Sequence, residues 1–288
     1  DVREFILIQA TYDNHIGNMN KVLELLTELK LDYAEELDEN FENMGEVERA
    51  SFYSRQSEFA NIQNLVAIQE YARRPELIEE LYNHQLKYKG LLLKTSSSIK
   101  NRIVNSGDRK LIALYDEVQQ LKQFIGKATG EKSVDSLKNV LREKDALLGQ
   151  LSSIYKSDSA DPTWLDVQAN LEKGEAAIEV IKIPGYDFLK MEPTEDINYA
   201  ALSVKPKSKK IDIVLFDNGA FLENKAFNQY QNSIKHQLLD EKSYTFFWSS
   251  IAQYLKGVKK VYFSPDGVFH KINLGTLYNP KSKKFLAD

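Results

Sequence analysis

The chain has 288 residues, of which 42% are apolar and 28% charged, with a net charge of −4. At ~150 residues per domain it holds one or two domains, and this balance argues against a disordered or a membrane protein. It has no cysteine and four scattered histidines, which excludes a disulfide framework, thiolate metal sites and a cysteine nucleophile within this stretch, and argues against a multi-histidine zinc site.

No apolar run approaches the ~18 residues that cross a bilayer. The start, Asp1–His15, is acidic with a short apolar patch and does not read as a signal peptide. The net negative charge argues against a general nucleic-acid binder. The expectation is a globular cytoplasmic protein.

Residues 1–80 carry 18 acidic and 7 basic side chains, and residues 81–160 carry 8 and 14. Such asymmetry favours association of the two segments. Up to about Tyr155 the periodicity predicts helices. Met19, Val22, Leu23, Leu26 and Leu29 fall at helical spacing, as do Leu37, Phe41 and Met44, then Ile62, Leu65, Val66 and Gln69. Leu111, Leu114, Tyr115, Val118, Leu121 and Ile125 form a longer stripe, and Val134, Leu137, Leu141, Leu148 and Leu151 another. Breaks are predicted at Arg74-Pro75, at Asn105 to Asp108, at Ala128 to Gly130 and at Asp158 to Pro162. Ser133 with Ser136 is a candidate cap for the last long helix. The lengths suit helix pairs of the tetratricopeptide kind, although the full ~34-residue consensus is missing.

From Trp164 the pattern changes. A short helix over Trp164–Glu172 is expected, capped by Thr163 and closed by Gly174. Strands are predicted at Ala177–Ile183, Asn198–Val204, Ile211–Asp217 and Val258–Ser264, with Lys205 to Lys210 turning a hairpin between the second and third. Ile211–Leu215 alternates little and is expected to be buried on both faces. Helices are predicted over Phe221–Leu239 and Tyr244–Leu255. The last strand, reached through that helical crossover, implies an α/β sheet with a mixed edge.

Ser264-Pro265-Asp266-Gly267-Val268-Phe269-His270 places a hydroxyl, a carboxylate and an imidazole within seven residues. A Ser/Asp/His enzyme needs these groups to converge in space, which nearness in sequence does not supply. Pro-Asp-Gly is a strong turn signal, because Pro presets φ and Gly accepts φ > 0. The favoured reading is a structural turn between two short strands, with His270 a partly buried strand residue. His15, His84 and His236 lie far apart and lack the i+4 partner of a helical metal site. The stretch Glu28–Glu48 holds nine carboxylates and one lysine. It reads as an amphipathic helix with a solvated acidic face packing through Leu37, Phe41 and Met44; the functional alternative is a docking surface for a basic partner. Pro-Lys-Ser-Lys-Lys occurs at 206–210 and again at 280–284, both copies reading as exposed turns. No glycine-rich phosphate loop and no G-x-S-x-G elbow occurs.

Several stretches resemble one family. Trp164-Leu165-Asp166-Val167-Gln168, Leu171 and Gly174 to Glu179 resemble the opening of the CHAT domain, a caspase-like domain associated with tetratricopeptide repeats. Trp248, Ile251, Leu255, Gly257, Val261 to Gly267, Ile272-Asn273 and Leu277 resemble its most recognisable internal motif. Lys89 to Leu93 with Ser106 to Asp108 resembles the helical region that precedes it. The similarity runs from about Leu81 to Leu277.

The resemblance implies an α+β, multidomain chain. Residues 1–160 would be an all-α, degenerate tetratricopeptide-like region, and residues 161–288 the N-terminal portion of a caspase-like α/β domain with an incomplete sheet. It implies a bacterial cysteine endopeptidase whose helices recognise and regulate. The family's catalytic His and Cys lie beyond the Ser-Pro-Asp-Gly motif, so they would fall after Asp288 and no catalytic residue is assigned here. The chain is expected to be a fragment that hydrolyses nothing alone. Its open sheet would leave Phe263, Phe269, Ile272 and Leu274 partly bare. Ser264, Pro265, Asp266 and Gly267 are assigned as a structural motif. No cofactor and no metal is expected. The expected partners are a protein or peptide substrate, a regulatory protein, and the downstream part of the protein or a second chain completing the sheet; neither a membrane nor a nucleic acid is expected. The alternative is a non-catalytic scaffold or pseudo-peptidase, and a His-Gly and a Cys beyond Asp288 would decide between them.

Overall fold

A computed structural model describes residues 10, 17–40, 44, 59–127, 131–152, 162–187, 190 and 192–287. The chain divides into two compact units, Asp1–Ala60 with Lys87–Asp161, and Asn61–Leu86 with Pro162–Asp288. Residues 61–86 are thus the part of the helical half that packs with the sheet.

In the first unit, helix α1 spans Met19–Asn40. Among its described side chains Val22, Leu25, Leu26 and Leu29 are buried, an i, i+3, i+4, i+7 stripe. The backbone is helical through the first part of the acidic stretch. The faces expected for Leu37 and Phe41 lie outside the described side chains. Helix α2 covers residues 59–70 and α3 spans Glu76–Ser106, each contributing to both units.

The break after Ser106 has a clear local cause. Gly107 has φ +68°, and the Asp108 carboxylate accepts from the N–H of Lys110 at 2.9 Å and of Leu111 at 3.2 Å, capping α4 (Arg109–Lys127). Helix α5 spans Glu131–Ser152, so Ser133 lies inside it and does not cap it. Leu111, Val118, Leu141 and Leu148 bury between α4 and α5 with Ile103 of α3. Lys144 and Glu117 close that contact at 2.9 Å.

The second unit is built on a four-stranded sheet. Helix α6, Trp164–Asn170, opens it with a capping box in which Thr163 and Asp166 satisfy each other's backbone N–H groups. The strands are β1 (Glu175–Asp187), β2 (Glu192–Val204), β3 (Asp212–Phe216) and β4 (Lys260–Ser264), in the order β3-β2-β1-β4. β1 and β2 run antiparallel with a bulge between Pro184 and Tyr186, β2 and β3 are antiparallel, and β4 joins β1 in parallel. The mixed sheet is the one the strand pattern predicts.

Side chains alternate across it. Tyr199, Ala201, Ile178, Val180, Val214 and Phe216 face one core. Ala200, Leu202, Val204, Ile181 and Ile183 face another, which is closed by Leu65, Ile78, Leu81 and Tyr82 of α2–α3 and by Trp164. Trp164 is tied to α3 by bonds to Asn83 and Glu79. The long runs of buried residues in β1 and β2 follow from this covering of both faces.

The first core is covered by α7, which runs from Gly219 through a π-helical turn at Leu222–Ala226 to Lys235, and by α8 (Ser243–Phe247) and α9 (Ser249–Ala252). The expected single helix over 244–255 is interrupted at Trp248, whose φ is −130°. β3 differs from expectation too: Leu215 is 39% exposed, because β3 is an edge strand bonded only to β2. The second Pro-Lys-Ser-Lys-Lys turn joins β5 (Tyr278–Asn279) to β6 (Lys284–Phe285).

Candidate functional site

The motif Ser264 to Gly267 lies at the carboxyl end of β4, beside β1. It is followed by a 3-10 helix, Gly267–Lys271, and not by the strand expected there. His270 is therefore an exposed 3-10 residue and no strand residue.

Each residue of the motif is engaged. Ser264, opposite Glu179 in the β4–β1 register, donates its hydroxyl to Glu179 Oε1 at 3.1 Å. Glu179 is buried in the sheet. Tyr82 of α3 stands beside it, and burial first, then the Glu179 charge, push its phenol far above the ordinary value. The Asp266 carboxylate accepts from Gly267 N–H at 2.7 Å and from Lys182 N–H of β1 at 2.8 Å. It thereby pins the turn to the strand just past the last β1–β4 pair. Gly267 has φ +52°, and a Cβ built there would lie 2.0 Å from Tyr199 Oη. No other residue type fits without displacing that ring.

Tyr199, fully buried on β2, links the turn to the helix layer. Its hydroxyl accepts from Val268 N–H at 2.9 Å and donates to Glu223 Oε1 at 2.5 Å. Glu223 projects from the π-turn of α7, whose Leu222 and Ala226 are buried, and pairs with Lys182 Nζ at 2.7 Å. Burial alone would push the Glu223 carboxyl up, but the bonds from Lys182 and Tyr199 outweigh it and hold the group below its ordinary range. Burial, then the bond to Glu223, push the Tyr199 phenol far up.

Below the network, Phe269 is buried among Tyr199 at 5.4 Å, Phe247 at 5.6 Å and Phe216 at 6.0 Å between ring centroids. Phe269 and Ile272 are buried, and only Phe263 and Leu274 are half-buried. The expected bare apolar end is thus covered for Phe269 and Ile272, because α7, α8 and the 3-10 turn close over that face.

Chemically, the arrangement is a lock. Ser264 faces a carboxylate and no imidazole, and Asp266 is bonded to two backbone N–H groups. His84, His236 and His270 stand on separate elements, and His15 lies outside the described residues. Among the described residues no cluster of three metal-binding side chains forms, and no helix is long and apolar enough to cross a membrane. Sequence reasoning missed Lys182, Tyr199 and Glu223; the one available signal was a tyrosine and two charges inside two predicted strands and a predicted helix.

On the opposite face of the β4 edge lies a second feature. A cleft of about 410 Å3 opens between α6 and the sheet, lined by Pro162, Asp166, Val167, Asn170, Leu171, Ala177 and Tyr262. At its β4 side Lys260 bonds to Glu175 at 3.0 Å and lies over the Tyr262 ring.

Compared with family models, with curated proteins and with solved structures, the chain finds no match in any of the three.

Proposed function

We propose that this chain is the helical region plus the N-terminal part of a CHAT-type, caspase-like domain of a bacterial cysteine endopeptidase. The helices recognise a partner and control access, and residues beyond Asp288 supply the catalytic His and Cys. The observation that carries the reading is the place of the Ser-Pro-Asp-Gly turn. It lies at the carboxyl end of β4, where open α/β sheets bind their ligands, on a strand bonded to β1 alone. A further strand added beside β4 would bring its carboxyl end to the same place. In this reading the lock of Asp266, Gly267 and Tyr199 holds the floor of the substrate site.

A second reading, a scaffold without catalysis, is favoured by one observation: both polar side chains of the motif, Ser264 and Asp266, are committed to structural bonds. The experiment is to express the reading frame through its natural stop and assay it on a mixed peptide library. Cleavage abolished by replacing a downstream cysteine with alanine is expected. A frame with no downstream His-Gly and Cys, or no cleavage by a folded protein, would leave the scaffold.

A further inference from the structure

The sheet is electrically polarised along its strands, independently of any catalytic reading. Three connections meet at the amino ends of β1, β3 and β4: residues 171–174, 205–211 and 253–259. Gln168 of α6 donates to Ser208 O at 2.6 Å, Lys205 Nζ to Tyr254 O at 2.9 Å, and Lys259 N–H to Gly174 O at 2.7 Å, so the three form one surface. They hold seven lysines and one carboxylate, Glu172. Lys205 is neutralised by Asp212 at 2.8 Å. Lys173, Lys207, Lys209, Lys210, Lys256 and Lys259 are exposed and have no ion-pair partner among the described residues. The other end of the sheet carries Asp187, Glu192, Glu195, Asp196 and Asp217, against Lys190, which pairs with Asp187 and Glu192.

One of these lysines sits against local preference. Ser208 N–H bonds to Lys205 O across a four-residue turn with Pro206 second and Lys207 third at φ +61°. That position of a type II turn favours Gly or Asn. A lysine held there has its charge presented at the tip of the turn.

From this geometry we infer that the amino-end surface of the sheet docks an acidic polypeptide segment, its six free ammonium groups spread over three loops meeting carboxylates spaced along the partner. Three observations favour a polypeptide over a nucleic acid. Every guanidinium in the chain lies at or before Arg142, so the surface has lysine point charges and none of the forked donors that recognise phosphate. The only aromatic in the three connections, Tyr254, packs into the core and offers no stacking platform. Carboxylate-rich polypeptide of the right kind exists in this chain itself, in the nine carboxylates of Glu28–Glu48.

The test uses the whole chain and a labelled peptide with the sequence of residues 28–48, followed by fluorescence anisotropy. Saturable binding at low salt is expected, weakened about tenfold or more on going from ~0.05 to ~0.5 M salt as the Debye length shrinks. Lys207→Glu/Lys209→Glu/Lys210→Glu abolishes it, while Lys281→Glu/Lys283→Glu, in the other turn of the same sequence, leaves it intact. Lys256→Glu/Lys259→Glu gives the same loss from a different loop if the triple variant fails to fold. No binding at low salt, or equal weakening by the control pair, overturns the inference. So does tighter binding of a labelled single-stranded oligonucleotide or of phosphatidylserine vesicles at the same salt. Failure here leaves the peptidase reading untouched, since neither the motif nor the β4 edge is involved.

Discussion

Gly267 is confined twice, by its positive φ and by the Tyr199 hydroxyl 2.0 Å from where a Cβ would sit. Gly267→Ala should therefore cost roughly 1–3 kcal/mol from the strained dihedral, plus whatever moving the ring requires. Tyr199→Phe leaves Val268 N–H buried without its acceptor, worth roughly 1–3 kcal/mol. The phenylalanine also removes the closest of the clashing atoms, leaving the ring carbons at 2.8 and 2.9 Å, so the double variant should be less destabilised than the sum of the two, read from chemical denaturation; strict additivity would refute the close approach. Glu223 gives a pH prediction. Its folded pKa is depressed, so its contribution to stability is full above the unfolded value of ~4.3 and is lost as pH falls through the lower folded value. The acid limb of the stability profile should be shallower in Glu223→Gln below about pH 4.3; an unchanged limb would contradict the pairing with Lys182. At this scale the sequence shows the turn and the need for φ > 0 at Gly267, since both are set by adjacent residues. It does not show Lys182, Tyr199 or Glu223 as partners, because their meeting depends on strand register and on a π-turn that no local pattern marks.

Elements were legible where burial follows a simple period. The cap at Thr163, the Gly107 break and the continuous apolar run at the end of β2 are all written in short-range sequence. β3 misleads because an apolar run looks the same in a central strand and in an edge strand, and only the sheet order tells them apart. Leu215→Thr should consequently change stability by less than about 0.5 kcal/mol, as at surface positions. Val214→Thr places a hydroxyl in the core between β3 and the aromatic cluster and should cost clearly more; equal melting temperatures would show that β3 is turned the other way. Phe269→Ala, removing the centre of that cluster, should cost roughly 3–5 kcal/mol. Trp248 interrupts its helix so that its ring reaches Phe263 at 6.0 Å, a tertiary contact that overrides local helical preference.

For the whole molecule, the α+β composition and the mixed sheet were legible from the change of period at Trp164. The recruitment of residues 61–86 to the sheet was not, because a helix stripe does not say which neighbour it covers. Under the proposed function, residues 1–288 alone should hydrolyse no peptide, because a cysteine peptidase needs a thiolate and the chain has no cysteine. Turnover that survives repurification and disappears with Ser264→Ala would mean that the motif is itself a nucleophile. The central claim concerns β4: among the described residues it is an edge strand, paired in the sheet with β1, and such an edge is a template for another strand. Hydrogen exchange across Lys260–Ser264 tests it directly. In residues 1–288 the outward amides of this strand should exchange fast, and adding the downstream polypeptide that the proposed function calls for should protect them. Unchanged exchange in the presence of that polypeptide would contradict the account.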